Sequence, residues 1–158
     1  EDVVFTGNFW GTGKKLADLA GEAAEGYLGI MPFAVWSDEG AGIRFAQQLN
    51  ATYHPDVDHR EPQYVTGIVN AMIIVQAIKE ALIKVGDPGK VTGSEVYNAL
   101  EAMEEFDTQG LVTSIGYGPN ERRGAKKGRL VRIREGRLET QTEWINAPPV
   151  PKAEVEGE

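Results

Sequence analysis

The sequence predicts an α/β fold, and three observations carry the prediction. A short apolar run, VVF at residues 3–5, leads into a glycine-rich loop, GNFWGTGKK at residues 7–15. The loop opens into a helix-like pattern, and a second apolar run, YLGIMPFA at residues 27–34, follows it. Strand, loop, helix, strand is a βαβ unit.

Taken in order, residues 1–6 (EDVVFT) read as a short buried strand ending in the glycine loop. From Lys14 to Glu25, Leu16, Leu19, Ala20 and Ala23 recur at helical spacing, and Gly26 ends the pattern where a left-handed residue is wanted. The second strand carries Pro32, which pushes it to an edge or an end. Ser37 or Asp38 is placed to cap a helix in which Phe45, Leu49 and Tyr53 fall one above another, and the polar loop TYHPDVDHREP follows. Residues 64–85 (YVTGIVNAMIIVQAIKEALIKV) are apolar over more than half of a helix circumference, which predicts burial on two sides. Gly86-Asp87-Pro88-Gly89 stops that helix. Thr92-Gly93-Ser94-Glu95 restarts one with a capping-box pattern, its inner face carried by Val96, Leu100 and Met103. Residues 106–118 are irregular and glycine-spaced. Residues 129–134 alternate, with Val131 and Ile133 on one side, and turn at Glu135-Gly136 into residues 137–142, a hairpin. Residues 147–158 (APPVPKAEVEGE) are proline-rich and acidic, and read as a disordered tail.

The chain has 158 residues, 41% of them hydrophobic and 25% charged, enough for one domain with a core. The longest apolar stretch, residues 68–78, is shorter than the roughly 18 to 20 residues a membrane span needs and is broken by Asn70 and Gln76. A net charge of -8 repels a phosphate backbone, so nucleic acid is not an expected partner. With no cysteine there are no disulfides, thiolate metal sites or Cys nucleophile. The start at Glu1, without Met and directly before strand-like sequence, reads as a cut start.

The glycine loop sits where a P-loop would, but its spacing fails. Five residues separate Gly7 from Gly13 where four are needed, and Lys15 stands where Ser or Thr should hold magnesium. The dinucleotide pattern fails as well, because Leu16 occupies the place of the third glycine. Two adjacent rings, Phe9 and Trp10, at the carboxyl end of a strand suit an apolar ligand better, though rings there also serve to cover a sheet end. His54, Asp56, Asp58, His59 and Glu61 crowd metal-ligand chemistry into one loop without the i, i+4 spacing of a metalloprotease helix, so no metal and no cofactor is expected. The basic run RRGAKKGRLVRIREGR at residues 122–137 reads as a hairpin with a solvated face. Asn50-Ala51-Thr52 matches a glycosylation acceptor, a triplet that also arises by chance. Neither histidine stands in a nucleophile context and no Gly-x-Ser-x-Gly elbow is present, so no catalytic residue is assigned and the chain is not read as an enzyme.

The ordered series GNFWGTGKKLADLAGEAAEGYLGIMPFA, YVTGIVNAMIIVQAIKEAL, FDTQGLVTSIGYGPNERRG and RLVRIREGRLETQTEWI resembles the C-terminal half of type I periplasmic binding proteins. The group it is most similar to is the substrate-binding component of branched-chain amino-acid ABC transporters. The resemblance runs from about Val3 to Ile145 and implies a two-lobed α/β protein that closes on its ligand by a hinge. Residues 1–35 would then be a second-lobe βαβ segment, 36–109 a first-lobe helical segment and 110–146 a return to the second lobe ending in the hairpin. It also implies a missing N-terminal half of about 200 residues, in line with a two-domain chain. That half, or self-association in its place, would cover the over-apolar helix.

In this family the loop that matches GNFWG faces the cleft between lobes, and an aromatic at the start of the long helix touches the ligand side chain. Those positions are Asn8, Phe9 and Trp10 in the loop and Tyr64 on the helix. Family members that bind the ligand's ammonium with a loop carboxylate have it where this chain has Phe9. That departure favours an aromatic or less cationic ligand over an ordinary aliphatic amino acid. The implied role is an extracytoplasmic solute-binding protein that captures an amino acid or a related small organic molecule, such as an aromatic or organic acid, for an ABC permease. Its place would be the periplasm or the cell exterior, with or without a lipid anchor. Two alternatives stay open: a ligand-sensing domain of the same fold, and a small nucleotide-binding domain or enzyme using GNFWGTGK.

Overall fold

The computed structural model describes residues 3–149. Its elements are β1 (Thr6–Gly7), α1 (Lys14–Ala20), a 3₁₀ turn (Gly21–Ala24), β2 (Leu28–Met31), α2 (Ala41–Tyr53), α3 (Pro62–Val85), a second 3₁₀ turn (Pro88–Lys90), α4 (Gly93–Glu101), β3 (Lys127–Arg134), β4 (Arg137–Thr140) and β5 (Ile145–Asn146). The expected tail lies outside the described residues from position 150 onward.

The sheet runs β1-β2-β3-β4, with β5 paired to the start of β3. β1 and β2 are parallel, with Thr6 beside Leu28 and Gly7 beside Gly29, so the predicted βαβ unit is present. β3 lies antiparallel to β2, with Leu28 beside Arg132 and Met31 beside Arg129, and then folds back into β4. The turn between them has Glu135 at φ 49 and Gly136 at φ 72, two left-handed residues that suit a tight hairpin. Val131, Ile133 and Leu138 face inward, as the alternation predicts.

Two early elements are shorter than expected. β1 is two residues long and Val3, Val4 and Phe5 are exposed, not buried, because among the described residues β2 is its only neighbour. α1 stops at Ala20, where Gly21 adopts φ 55, and the 3₁₀ turn carries the chain on to Ala24. The inward residues are Ala17 and Ala24. Leu19, 89% exposed, lies about 200° around the helix from Ala17 and faces away.

α2 also turns a different face inward from the one its aromatics suggest. Gly42, Ile43, Ala46 and Asn50 are buried, while Phe45 and Tyr53 are exposed. The helix starts after Gly40 with no side-chain cap, and Asp38 is engaged elsewhere. Gly42 explains the choice of face. Its amide donates to the Gln109 carbonyl at 2.9 Å, and a Cβ there would lie 2.7 Å from Leu111 Cγ and 2.8 Å from the Gln109 oxygen. Only a glycine lets the helix come that close.

α3 spans 24 residues, with Pro62 in its first turn and Gly86 closing it in the left-handed conformation. Val65, Val69, Ile73, Ala77 and Ala81 form a buried stripe with a step of four. The first four pack with Trp36, Ile43, Ala46, Met103, Leu111, Val112 and Ile115 into the larger of two apolar clusters. Burial on two sides is not what this chain provides. Ile74, Val75, Ile78 and Ile83 are exposed, because no described element lies over them. α4 packs along α3 and has the predicted capping box, with Thr92 and Glu95 satisfying each other's backbone amides.

The smaller cluster, Ala17, Ala24, Met31, Val35, Val131, Ile133 and Leu138, lies between α1 and the sheet. Phe33 touches both clusters. Beside it the Ala34 amide donates to the Leu111 carbonyl at 2.7 Å, so the segment leaving the sheet and the segment returning to it run side by side. Asp38 fastens this crossing to the hairpin. It accepts from the Val35 amide at 2.7 Å and the Thr140 hydroxyl at 2.8 Å, and pairs with Arg129.

Candidate ligand-binding site

The glycine loop is shaped by its own first residues. The Asn8 side-chain oxygen accepts from the Trp10 amide at 3.1 Å and the Gly11 amide at 3.3 Å, an Asx turn. The Asn8 carbonyl accepts from the Gly11 amide at 3.2 Å and the Thr12 hydroxyl at 2.7 Å. This turn sends the two rings different ways. Phe9 folds back edge-on to Phe33 at 5.6 Å, anchoring the loop to the core. Trp10, 69% exposed, stands outward with its ring 4.8 Å from that of Phe9.

The loop ends on the N-terminus of α1, which has no cap of its own. Gly13 offers no side chain and the first turn holds no acid. The cap comes from the other end of the chain's fold. Glu61, the residue before α3, accepts from the Lys14 amide at 3.0 Å and the Lys15 amide at 3.1 Å. Its carboxylate lies so close over Gly13 that a Cβ at that position would collide with it. A negative charge at a helix N-terminus is favourable both as a hydrogen-bond acceptor and against the helix dipole.

This contact brings the loop to the head of α3 and encloses a recess of about 330 Å³, bordered by Trp10, Thr12, Lys15, Leu16, Glu61 and Gln63. One aromatic face, one ammonium, one amide and one carboxylate are thereby available around an open concavity, a set suited to a small organic ligand. Tyr64 stands one residue further along α3. Its ring meets Trp36 edge-on at 6.0 Å and carries the Arg60 guanidinium 4.7 Å above it. Of the four residues singled out in the sequence, Trp10 borders the recess, Asn8 builds the turn that presents it, Phe9 anchors that turn, and Tyr64 packs at the head of α3 outside the recess lining. Glu61 and Gln63 were not singled out for this place. The partners of Glu61 lie 46 and 47 residues away in the chain, and nothing local marks the contact.

Lys14, the residue a phosphate-binding loop would need, is committed to Asp18 at 2.5 Å along the exposed side of α1. His59, in the same neighbourhood, is held below its ordinary pKa by burial, against the opposing pull of Glu61 and Asp18. Among the described residues no three His, Asp or Glu side chains converge as a metal site would require.

Residues 2–137 match the model of the family described as periplasmic binding protein. The chain belongs to the periplasmic binding protein family. That family consists of non-enzymatic, substrate-binding components of ABC transporters. Among solved structures, the chain is similar to a branched-chain amino-acid ABC transporter protein from Thermus thermophilus with bound valine, at 26% identity and a TM-score of 0.76 over 90% of this chain and 39% of that one. An ABC transporter substrate-binding protein from Aeropyrum pernix is matched at 25% identity and a TM-score of 0.71, over 93% of this chain and 38% of that one. A fatty-acid ABC transporter substrate-binding protein from Thermomonospora curvata shares the fold at 19% identity and a TM-score of 0.70, over 90% of this chain and 36% of that one. No curated protein matches the sequence. The chain thus spans well under half the length of the periplasmic binding proteins it matches.

Proposed function

We propose that this chain is part of an extracytoplasmic solute-binding protein that captures an amino acid or a related small organic molecule for an ABC permease. Trp10 is the wall this chain contributes to the cleft, with Asn8 and Phe9 shaping and anchoring the loop that presents it and Tyr64 beside it at the head of α3. The observation that carries the reading is the exposed Trp10, held out by the Asn8 turn at the rim of a recess that joins the β1–α1 loop to the head of α3. An exposed indole beside a concavity is expensive in water and is favoured where an apolar body covers it. The relative from Thermus thermophilus carries valine, which supports an amino-acid ligand. The absence of a carboxylate at Phe9 favours a ligand with an apolar or aromatic body.

In this proposal residues 1–35 and 110–146 belong to one lobe and 36–109 to the other. The side-by-side segments at Ala34 and Leu111 would be two of the crossings about which the lobes close, excluding water from the ligand. The exposed face of α3, with Ile74, Val75 and Ile78, is then covered by the remainder of a longer protein or, when this chain is alone, by a second copy. Light scattering on the isolated chain should return a mass above that of one copy, and a clean monomer would count against that cover.

The binding test is tryptophan fluorescence of the full-length protein titrated with valine, phenylalanine and benzoate, with ATP and magnesium as the control. A saturable change with one of the organic ligands, reduced by Trp10→Phe replacement to the signal of the other two indoles, is the expected result. A response to ATP and magnesium alone, abolished by Lys14→Ala, would instead establish a nucleotide loop.

A further inference from the structure

A second concavity lies on the other side of the Glu61 contact and shares no lining residue with the recess at Trp10. Its volume is about 310 Å³, and its walls come from four separate places in the chain: the start of α1, the crossing at Trp36 and Ser37, the loop before α3, and the start of β4. The floor is apolar, made by Trp36, Pro62 and Leu138. The rim is cationic. Lys14, Arg60 and Arg137 border it together with His59, whose charged form burial disfavours, and no acidic side chain does, in a chain whose net charge is -8.

The two arginines distinguish this rim from a solvated basic patch. Arg60 donates from Nε to the Asn50 side-chain oxygen at 2.6 Å and lies over the Tyr64 ring, but its Nη2 is buried without a hydrogen-bond partner. A buried guanidinium nitrogen with no acceptor is costly, and in folded proteins such groups are ordinarily satisfied. Arg137 makes no ion pair among the described residues. Lys14 is different, since Asp18 already neutralises it. The other polar groups of the wall are spent internally: the Trp36 indole donates to the Asp58 carbonyl at 2.9 Å and the Ser37 hydroxyl to the Leu138 carbonyl at 2.8 Å. What remains unanswered in the site is a pair of guanidinium donors above an aromatic and aliphatic floor.

We propose that this concavity is a second binding site, for a small organic carboxylate with a flat apolar body. The carboxylate pairs with the guanidiniums of Arg60 and Arg137, whose planar forks match its two oxygens. The body of the ligand lies along Trp36, Pro62 and Leu138, and the volume suits a molecule of about one ring. Inorganic phosphate meets the charge but leaves the floor uncovered, and a neutral alcohol of the same shape covers the floor but leaves the arginines unanswered. The site is independent of the cleft reading, since it uses none of Asn8, Phe9 or Trp10 and stands whether or not that cleft binds a solute.

The experiment is a nitrogen-15 NMR titration of the full chain, following the Trp36 indole signal, with benzoate, benzyl alcohol and inorganic phosphate as probes. Benzoate should shift the Trp36 signal saturably, while neither benzyl alcohol nor phosphate does so in the same concentration range. Arg137→Gln, at an exposed position that leaves the fold intact, should weaken benzoate about tenfold, the effect of losing one hydrogen bond to a charged group. Arg60→Gln should weaken it at least as much. Absence of a saturable shift, equal response to benzyl alcohol or phosphate, or unchanged affinity in Arg137→Gln would overturn the assignment. Because Arg137 touches neither Asn50 nor Tyr64, its result stands even if the Arg60 variant misfolds. Loss of the Trp10 fluorescence response in the cleft test, with the Trp36 shift retained, would remove the first site and leave this one.

Discussion

Replacing Asp38 by Ala tests whether the crossing segment is truly fastened to the hairpin. The carboxylate is 14% exposed and Arg129 is 12% exposed, so both charges are largely withdrawn from water. Asp38 also accepts from the Val35 amide and the Thr140 hydroxyl, while Arg129 stacks on Trp144 at 4.7 Å with its Nε buried and unpaired. Removing one member of a buried pair leaves the other uncompensated, which costs about 3 to 5 kcal/mol. The slight exposure of both groups puts the expected loss at the lower end, about 3 kcal/mol. With a urea slope of about 2 kcal/mol/M, the midpoint of unfolding should fall by roughly 1.5 M. Adding Arg129→Met to Asp38→Leu should recover part of the loss, because two apolar side chains then replace two charges. A loss below about 1 kcal/mol, the size of an exposed ion pair, would refute the reasoning and mean that water reaches the pair.

Three further outcomes follow from single contacts. Glu61→Ala should cost about 1 kcal/mol by leaving α1 uncapped, and the Lys14 and Lys15 amides should exchange with solvent faster; unchanged exchange would mean that Glu61 does not hold the loop. Gly42→Ala should destabilise by about 1 to 3 kcal/mol through the clash with Leu111 and the Gln109 carbonyl, outweighing the gain in helix propensity, and a more stable variant would show that α2 can retreat. Glu121, hydrogen-bonded by the side chain and amide of Arg123, has its pKa lowered from 4.5 to about 2. Its contribution is therefore present above pH 4.5 and lost as pH falls through about 2, and a carboxyl NMR titration of Arg123→Ala should bring its midpoint back toward 4.5.

The features read correctly from the sequence are those closed by near neighbours. The capping box joins Thr92 and Glu95, three positions apart, the Glu135-Gly136 turn joins adjacent strands, and Gly86 ends α3 by its own backbone conformation. Where the orientation of an element depends on a distant surface, residue type misled. Phe45 and Tyr53 are the large side chains of α2, but the helix is pulled down by Gly42 on the returning segment at Gln109 and Leu111, which commits the small residues Ala46 and Asn50 to the interior. α3 is a different case. Its breadth of apolar sequence predicts burial on two sides, and the described residues supply cover for one face only.

The candidate site divides along the same line. Asn8, placed in the cleft by the resemblance, makes an Asx turn with residues two and three positions on, and the exposure of Trp10 follows from that local geometry. What turns an exposed indole into the wall of a recess is the head of α3, and the link is the Glu61 carboxylate resting on two amides 46 and 47 residues earlier in the chain. A carboxylate before a proline looks like any solvated acid until the uncapped helix opposite it is in view. The same residue also separates the two concavities, with Lys14 and Pro62 facing one and Lys15 and Gln63 the other.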